Sequence, residues 1–120
     1  MEYNLEERTA KFGEKVILLV KKVKLSFINS RIISQIVASS GSVGANYCEA
    51  NGSESKKDFV HKLRISLKEI KETKHWARLL SVANPEIKVE LVEVWTEASE
   101  LFAIFSKIIQ TCSISSVSKF

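Results

Sequence analysis

The stretch Ser39-Ser40-Gly41-Ser42-Val43-Gly44-Ala45-Asn46-Tyr47-Cys48-Glu49-Ala50 decides the fold. Its small residues recur at helical spacing, the pattern that lets two helix backbones approach closely. Ile32, Ile36, Val43 and Tyr47 form an apolar stripe around it, with Ile33, Val37 and Ser40 alongside. The stripe keeps its phase across Gly41 and Gly44, so the spacing predicts one helix from about Ser30 to Glu49. A loop at Ser39–Ser42 is the competing description. Each glycine inside a helix costs about 1 kcal/mol relative to alanine. Close packing against a neighbouring helix is the natural compensation.

Upstream, Leu5, Phe12, Val16, Leu19 and Val23 recur at steps of three, four or seven, with Phe27 as a candidate sixth. This predicts a first helix from about Leu5 to Leu25. Glu6 and Glu7 fall in its first turn and Lys21, Lys22 and Lys24 in its last, as the helix dipole favours. Phe27-Ile28-Asn29 then serves as a short connection. Downstream, Ala50-Asn51-Gly52-Ser53 is a turn sequence. Ser55 supplies an N-cap with Asp58 in capping-box position, and Ser53 competes for that role. The third helix extends to about Val82, where Ala83-Asn84-Pro85 ends it. Asn84 as N-cap and Pro85 at the first helical position open a fourth. Its stripe is Ile87, Leu91, Val94, Ala98, Leu101, Phe105, Ile109 and Cys112.

Four helices on short links predict an all-α fold, an antiparallel up-down-up-down four-helix bundle over residues 1–112, with 113–120 as a flexible, serine-rich tail. A chain of 120 residues with 45% apolar side chains is one domain with a real core. The longest apolar run, Val16–Val20, is too short to span a bilayer. The first residues are acidic and lack the basic start of a signal peptide. Cys48 and Cys112 form no CxxC motif, and they fit reduced, partly buried thiols. A soluble, cytoplasmic protein with no membrane partner is expected.

The formal charge of +4 permits an anionic partner without requiring one. Its distribution is more specific. On the third helix Lys57, Arg64, Lys68, Lys71 and His75 follow one line, while Asp58, Glu69 and Glu72 lie opposite, interrupted by Ile65 and Trp76. On the fourth, Glu86, Glu90, Glu93, Glu97 and Glu100 step by four and three, with Val92 and Trp95 outside the main stripe. These lines are either solvated or ion-paired flanks, where each exposed pair is worth about 0–1 kcal/mol, or complementary subunit faces and a phosphate-binding surface. As an oligomer interface, Trp76, Trp95, Ile65 and Val92 would anchor it. Burial in the monomer core is the equal alternative for both tryptophans.

Nothing in the sequence has the spacing of a catalytic or metal site. His61 and His75 are fourteen positions apart, roughly 21 Å along one helix. No inward pair of Glu-x-x-His signatures on two helices occurs, as a di-iron bundle needs. Gly41 and Gly44 lack the lysine and preceding strand of a phosphate loop. No enzyme activity, cofactor or metal is expected.

Three motifs carry a family resemblance: Ser40-Gly41-Ser42-Val43-Gly44-Ala45-Asn46-Tyr47-x-Glu49-Ala50, Ser55-x-x-Asp58-Phe59-x-x-Lys62-Leu63, and Leu67-Lys68-Glu69-x-x-Glu72-Thr73-x-x-Trp76. Over about residues 5–112 the chain resembles the bacterial 23S rRNA intervening-sequence proteins, some of which carry a ribosomal-protein label. The resemblance implies an antiparallel four-helix bundle assembled into a homopentameric ring. It is similar too to the accessory subunit of diversity-generating retroelements, a basic pentamer that contacts nucleic acid and a reverse transcriptase. The acidic fourth helix departs from that strongly basic pattern. Asn46, Glu49, Lys62, Lys68, Glu69 and Glu72 match polar motif positions, and Asn46 and Glu49 are expected to tie the end of the second helix to Lys62.

The expected function is that of a non-enzymatic oligomer touching RNA or another nucleic acid through phosphates. Lys57, Arg64, Lys68 and Lys71 are its first cluster and Lys21, Lys22, Lys24 and Arg31 its second. The alternative is a structural adaptor ring that scaffolds a protein partner.

Overall fold

Asn4 opens the first helix, its side-chain oxygen accepting the Glu7 amide at 3.2 Å and satisfying one otherwise unpaired donor. The computed structural model describes residues 4–117, with side chains to Cys112. It contains α1 (Leu5–Val20), α2 (Phe27–Asn51), α3 (Lys56–Ala83), a 3-10 turn (Pro85–Ile87) and α4 (Lys88–Val117). These pack as an antiparallel four-helix bundle measuring 55 × 22 × 20 Å, in which sequential helices are neighbours and the α4–α1 seam is the thinnest. Residues 118–120 of the expected tail lie outside the described residues.

The continuous helix through Gly41 and Gly44 is borne out. Its glycine cost has the expected compensation, and the partner is α1. A Cβ on Gly44 would lie 3.0 Å from Thr9 Oγ1 and 3.3 Å from Thr9 Cβ. Gly13 of α1, which the sequence reading passed over, completes the contact. A Cβ there would touch the Ser40 carbonyl oxygen at 3.6 Å and Gly41 Cα at 3.7 Å. A Cβ on Gly41 itself meets nothing within 4 Å. Gly41→Ala should therefore stabilise the bundle by about 1 kcal/mol and raise Tm by roughly 3–6 °C, measured by circular dichroism. Gly44→Ala should give no such gain, because Thr9 must yield.

The corner between α1 and α2 differs from expectation. Helix α1 ends at Val20, so Lys21, Lys22 and Lys24 lie beyond its last residue instead of in its final turn. The Lys22 and Val23 amides bond back three residues, to Leu19 and Val20, and Val23 is buried, which turns the chain off the helix. Phe27-Ile28-Asn29 is the first turn of α2 and not a connection. Ser26 caps it, accepting the Asn29 amide at 3.0 Å. Phe27 belongs to no core stripe, being 79% exposed.

At the other junctions Ser55 caps α3 as expected, accepting the Asp58 amide at 3.1 Å. Asn84 stands at the predicted N-cap position but makes no side-chain cap bond, and Pro85–Ile87 is 3-10 before α4 begins. Its buried amide is engaged elsewhere. Asn84 Nδ2 donates to Asn29 Oδ1 at 2.8 Å and to the Leu80 carbonyl at 3.1 Å. Asn29 Nδ2 donates in return to Asn84 Oδ1 at 3.1 Å and to the Lys24 carbonyl at 2.8 Å.

The core follows the stripes. Phe12, Val16, Ile36, Val43, Ile70, Val94, Leu101 and Phe105 are buried together, and Tyr47 of α2 stacks on Phe105 of α4 at 5.6 Å. Two hydroxyls join α3 to α2 inside it: Ser66 donates to the Val43 carbonyl and Thr73 to Ser39 Oγ. Cys112 is partly buried, whereas Cys48 is exposed, on the outer side of α2. Among the described residues, no helix is long and apolar enough to cross a membrane.

Candidate nucleic-acid interface

Helix α4 divides the surface by charge. Its glutamate line faces α1 and is met there by basic side chains. Arg8 grips Glu97 through two bonds, Nε to Oε2 at 2.8 Å and a terminal nitrogen to Oε1 at 2.7 Å, and reaches Glu100 at 3.4 Å. Lys15 lies 3.2 Å from Glu93. Hydrogen bonding to Glu97 raises the Arg8 pKa against the opposing effect of partial burial. Three of the five acids are thus paired within the chain, by residues not picked out from the sequence.

The predicted basic line runs along the exposed outer face of α3, away from its buried stripe of Leu63, Ile70 and Ala77. Lys57, Arg64, Lys68 and Lys71 are exposed, as is His75. The structure adds Lys74, Arg78 and Lys88. Lys74 lies over the Trp95 ring at 4.0 Å, and Arg78 and Lys88 border a cavity of about 380 Å³ beside the same indole. Among the described residues none of these seven cations forms an ion pair with a carboxylate. Two acids of α3, Asp58 and Glu69, lie on its α2 side, whereas the exposed Glu72 is a helical neighbour of Lys68. Asp58 is four positions before Lys62, which pairs with Glu49 of α2 at 2.9 Å. Glu69 is four before Thr73, which bonds Ser39 of α2. Partial burial and the neighbouring Glu72 raise the Glu69 pKa.

The remaining expected residues separate into other regions. Lys21, Lys22 and Lys24 are exposed at the α1–α2 corner, away from Lys57 at the far end of α3. Arg31 borders a groove of about 520 Å³ between α2 and α3, with Phe27, Ile28 and Trp76. Trp76 and Ile65 share the α2-side edge of α3, partly buried, Trp76 against the core. Trp95 and Val92 are on the α3–α4 face, 45% and 51% exposed. The four therefore do not make one patch. The Glu49–Lys62 tie is present, but Asn46 donates to the Ser42 carbonyl of its own helix at 2.9 Å, the local bond that a short amide makes most cheaply.

Among the described residues no three His, Cys, Asp or Glu side chains come together as metal ligands. The lone Glu72-x-x-His75 spacing is exposed. The outer face of α3 offers a line of fixed positive charge, and its border with α4 adds Lys74, Arg78 and Lys88 around the Trp95 ring.

Comparison with known proteins agrees with the architecture. A crystal structure of a protein of unknown function from the S23 ribosomal protein family of Bacteroides thetaiotaomicron superposes with a TM-score of 0.77 at 28% identity. The match covers 88% of this chain and 97% of that one. No curated protein matches. The family model described as 23S rRNA-intervening sequence protein matches residues 2–107, which takes in all three motifs and the whole basic face. The chain therefore belongs to the 23S rRNA-intervening sequence protein family.

Proposed function

We propose that this chain is a non-enzymatic, self-associating cytoplasmic protein that holds RNA, or another nucleic acid, by its phosphates on the outer face of α3 and its border with α4. One observation carries the reading: among the described residues seven exposed or partly exposed cations of α3 and the start of α4 form no ion pair, while Glu93, Glu97 and Glu100 of α4 are paired by α1. Like charges gathered without counterions repel, and a polyanion relieves that penalty by releasing its own condensed counterions on binding. The acids of α4 have less need of a neighbouring subunit, because Arg8 and Lys15 already lie against them.

Self-association has a separate basis. Among the described residues, the exposed apolar side chains Leu18, Leu25, Phe27, Ile28, Val82 and Val89 lie in the half of the bundle where α1 ends and α2 begins. A surface so unevenly apolar fits a subunit contact. Trp76 borders a groove with Phe27 and Ile28 in that half, which supports its use as an anchor, and a homopentameric ring agrees with the family resemblance.

The same apolar half favours a second reading, an adaptor ring that scaffolds a protein partner and ignores nucleic acid. Binding of a labelled RNA oligonucleotide at 50 and 200 mM salt, on protein whose oligomer mass is known, separates the two. The nucleic-acid reading expects affinity to fall steeply between these conditions. It further expects Lys57→Gln/Arg64→Gln to make the salt slope about 1.4 units shallower, at ~0.7 per single-strand phosphate contact. An adaptor binds at neither salt concentration. An unchanged slope in the double variant would remove Lys57 and Arg64 from the interface.

A further inference from the structure

The geometry points to the Trp95 indole as a stacking platform for one unpaired nucleobase, a binding site at the end of the basic face where α3 finishes and α4 begins. This deepens the reading above and rests on it: the ligand becomes a single-stranded or looped segment instead of a regular duplex.

Three observations converge on that ring. It is 45% exposed, although indoles of monomeric bundles are mostly covered. It borders a cavity of about 380 Å³ whose other walls include Arg78, Ser81, Lys88, Leu91 and Val92, with no acidic side chain among them. And a cation, Lys74, rests over the aromatic face at 4.0 Å. A hydrophobic floor, an aromatic wall and a hydroxyl under a rim of cations form a pocket for a flat, polarisable group attached to a phosphate.

The spacing of the cations fits the same ligand. Lys71, Lys74 and Arg78 are helical neighbours at steps of three and four, and Lys88 is seven positions before Trp95 on the same side of α4. Phosphates flanking an inserted base would therefore meet charge on both walls. The bases of a duplex are stacked on one another, and a side chain cannot reach their faces without unstacking them. An unpaired base brings a free π-face.

Lys74 does not block the site. A cation over an exposed ring contributes about a two- to fivefold factor, less than the roughly 5- to 150-fold that stacking of a base on an aromatic side chain supplies. Displaced from the ring, the ammonium is free to pair with a phosphate of the incoming strand. Because every base has a π-face, the site tolerates sequence and discriminates by strandedness.

The test compares a single-stranded RNA oligonucleotide with the duplex formed by the same strand and its complement. Trp95→Ala is expected to weaken single-strand binding by roughly 5- to 150-fold, leave its salt slope unchanged and leave duplex binding as it was. Trp95→Phe, which keeps a smaller ring on the same backbone, should retain most of the affinity and guards against a folding defect in the alanine variant. In Trp76→Phe protein Trp95 is the sole indole, and single strand but not duplex should quench its fluorescence. If Trp95→Ala binds single strand like the parent while Lys57→Gln/Arg64→Gln weakens it, the base site is wrong and the phosphate reading stands. Equal losses for strand and duplex would also overturn the site, since Trp95 would then support the face instead of receiving a base. Absence of RNA binding by the parent protein defeats both.

Discussion

Phe105→Ala is expected to lower the free energy of unfolding by about 3–5 kcal/mol, the range for deleting a buried aromatic ring. Phe105 is fully buried on α4, and its ring stacks on Tyr47, which reaches across the bundle from α2. Tyr47 also touches the smaller cluster formed by Ala50, Leu63 and Ile109, so the pair links the two parts of the core. Removing one ring costs its transfer free energy and leaves a void between helices that are held apart by their remaining contacts. Tyr47 is only partly buried and can move inward, which sets the lower end of the range. Urea unfolding measures the loss, with Phe102→Ala as the comparison: that ring is partly exposed and should cost less. A loss below about 1 kcal/mol for Phe105→Ala would mean that α2 and α4 do not share a packed core there.

Much of this architecture is legible along single helices. The stripe from Ile87 to Ile109 is buried at every position, because a period of 3.6 residues leaves a helix no other face to hide. Ser55 works as a cap because its signal is local, a hydroxyl placed three residues before the amide it accepts. Periodicity carries no information about which neighbour a face meets. Arg8 and Glu97 are 89 positions apart, and each by itself resembles any solvated charge. The glutamate line was visible, but its partner on α1 was not.

The corner at residues 21–29 was harder for a different reason. Ser26 and Ser30 are equally good caps in isolation, and Phe27 and Ile28 look like core residues by composition. What places the start of α2 at Phe27 is Asn29, whose amide is held by a residue 55 positions away. The candidate interface shows the same division. Lys57, Arg64, Lys68 and Lys71 follow from spacing on α3 alone, whereas Lys74, Arg78, Lys88 and Trp95 become one site only when α4 is laid beside α3.

Asn29→Leu is expected to destabilise the fold by about 2–4 kcal/mol, since each buried polar group left without a partner costs roughly 1–3 kcal/mol. The substitution strands Asn84 Oδ1 and the Lys24 carbonyl, both of which now accept from Asn29 Nδ2. It also removes the acceptor of an Asn84 Nδ2 hydrogen at 2.8 Å. Asn84→Leu should cost less, since it frees Asn29 Oδ1 and one Asn29 Nδ2 hydrogen while the Leu80 carbonyl keeps the backbone amide of residue 84 at 2.9 Å. The double variant is the informative one. With both amides gone, neither is buried against an apolar partner, and two leucines can fill the space, so its loss should fall short of the sum of the singles by about 1–2 kcal/mol. Additivity within about 0.5 kcal/mol would show instead that the two residues act independently. Because these amides are what bind the start of α2 to the end of α3, the double variant should also lose amide hydrogen-exchange protection at Phe27–Ile32 before the rest of the bundle, even where its global stability is largely restored.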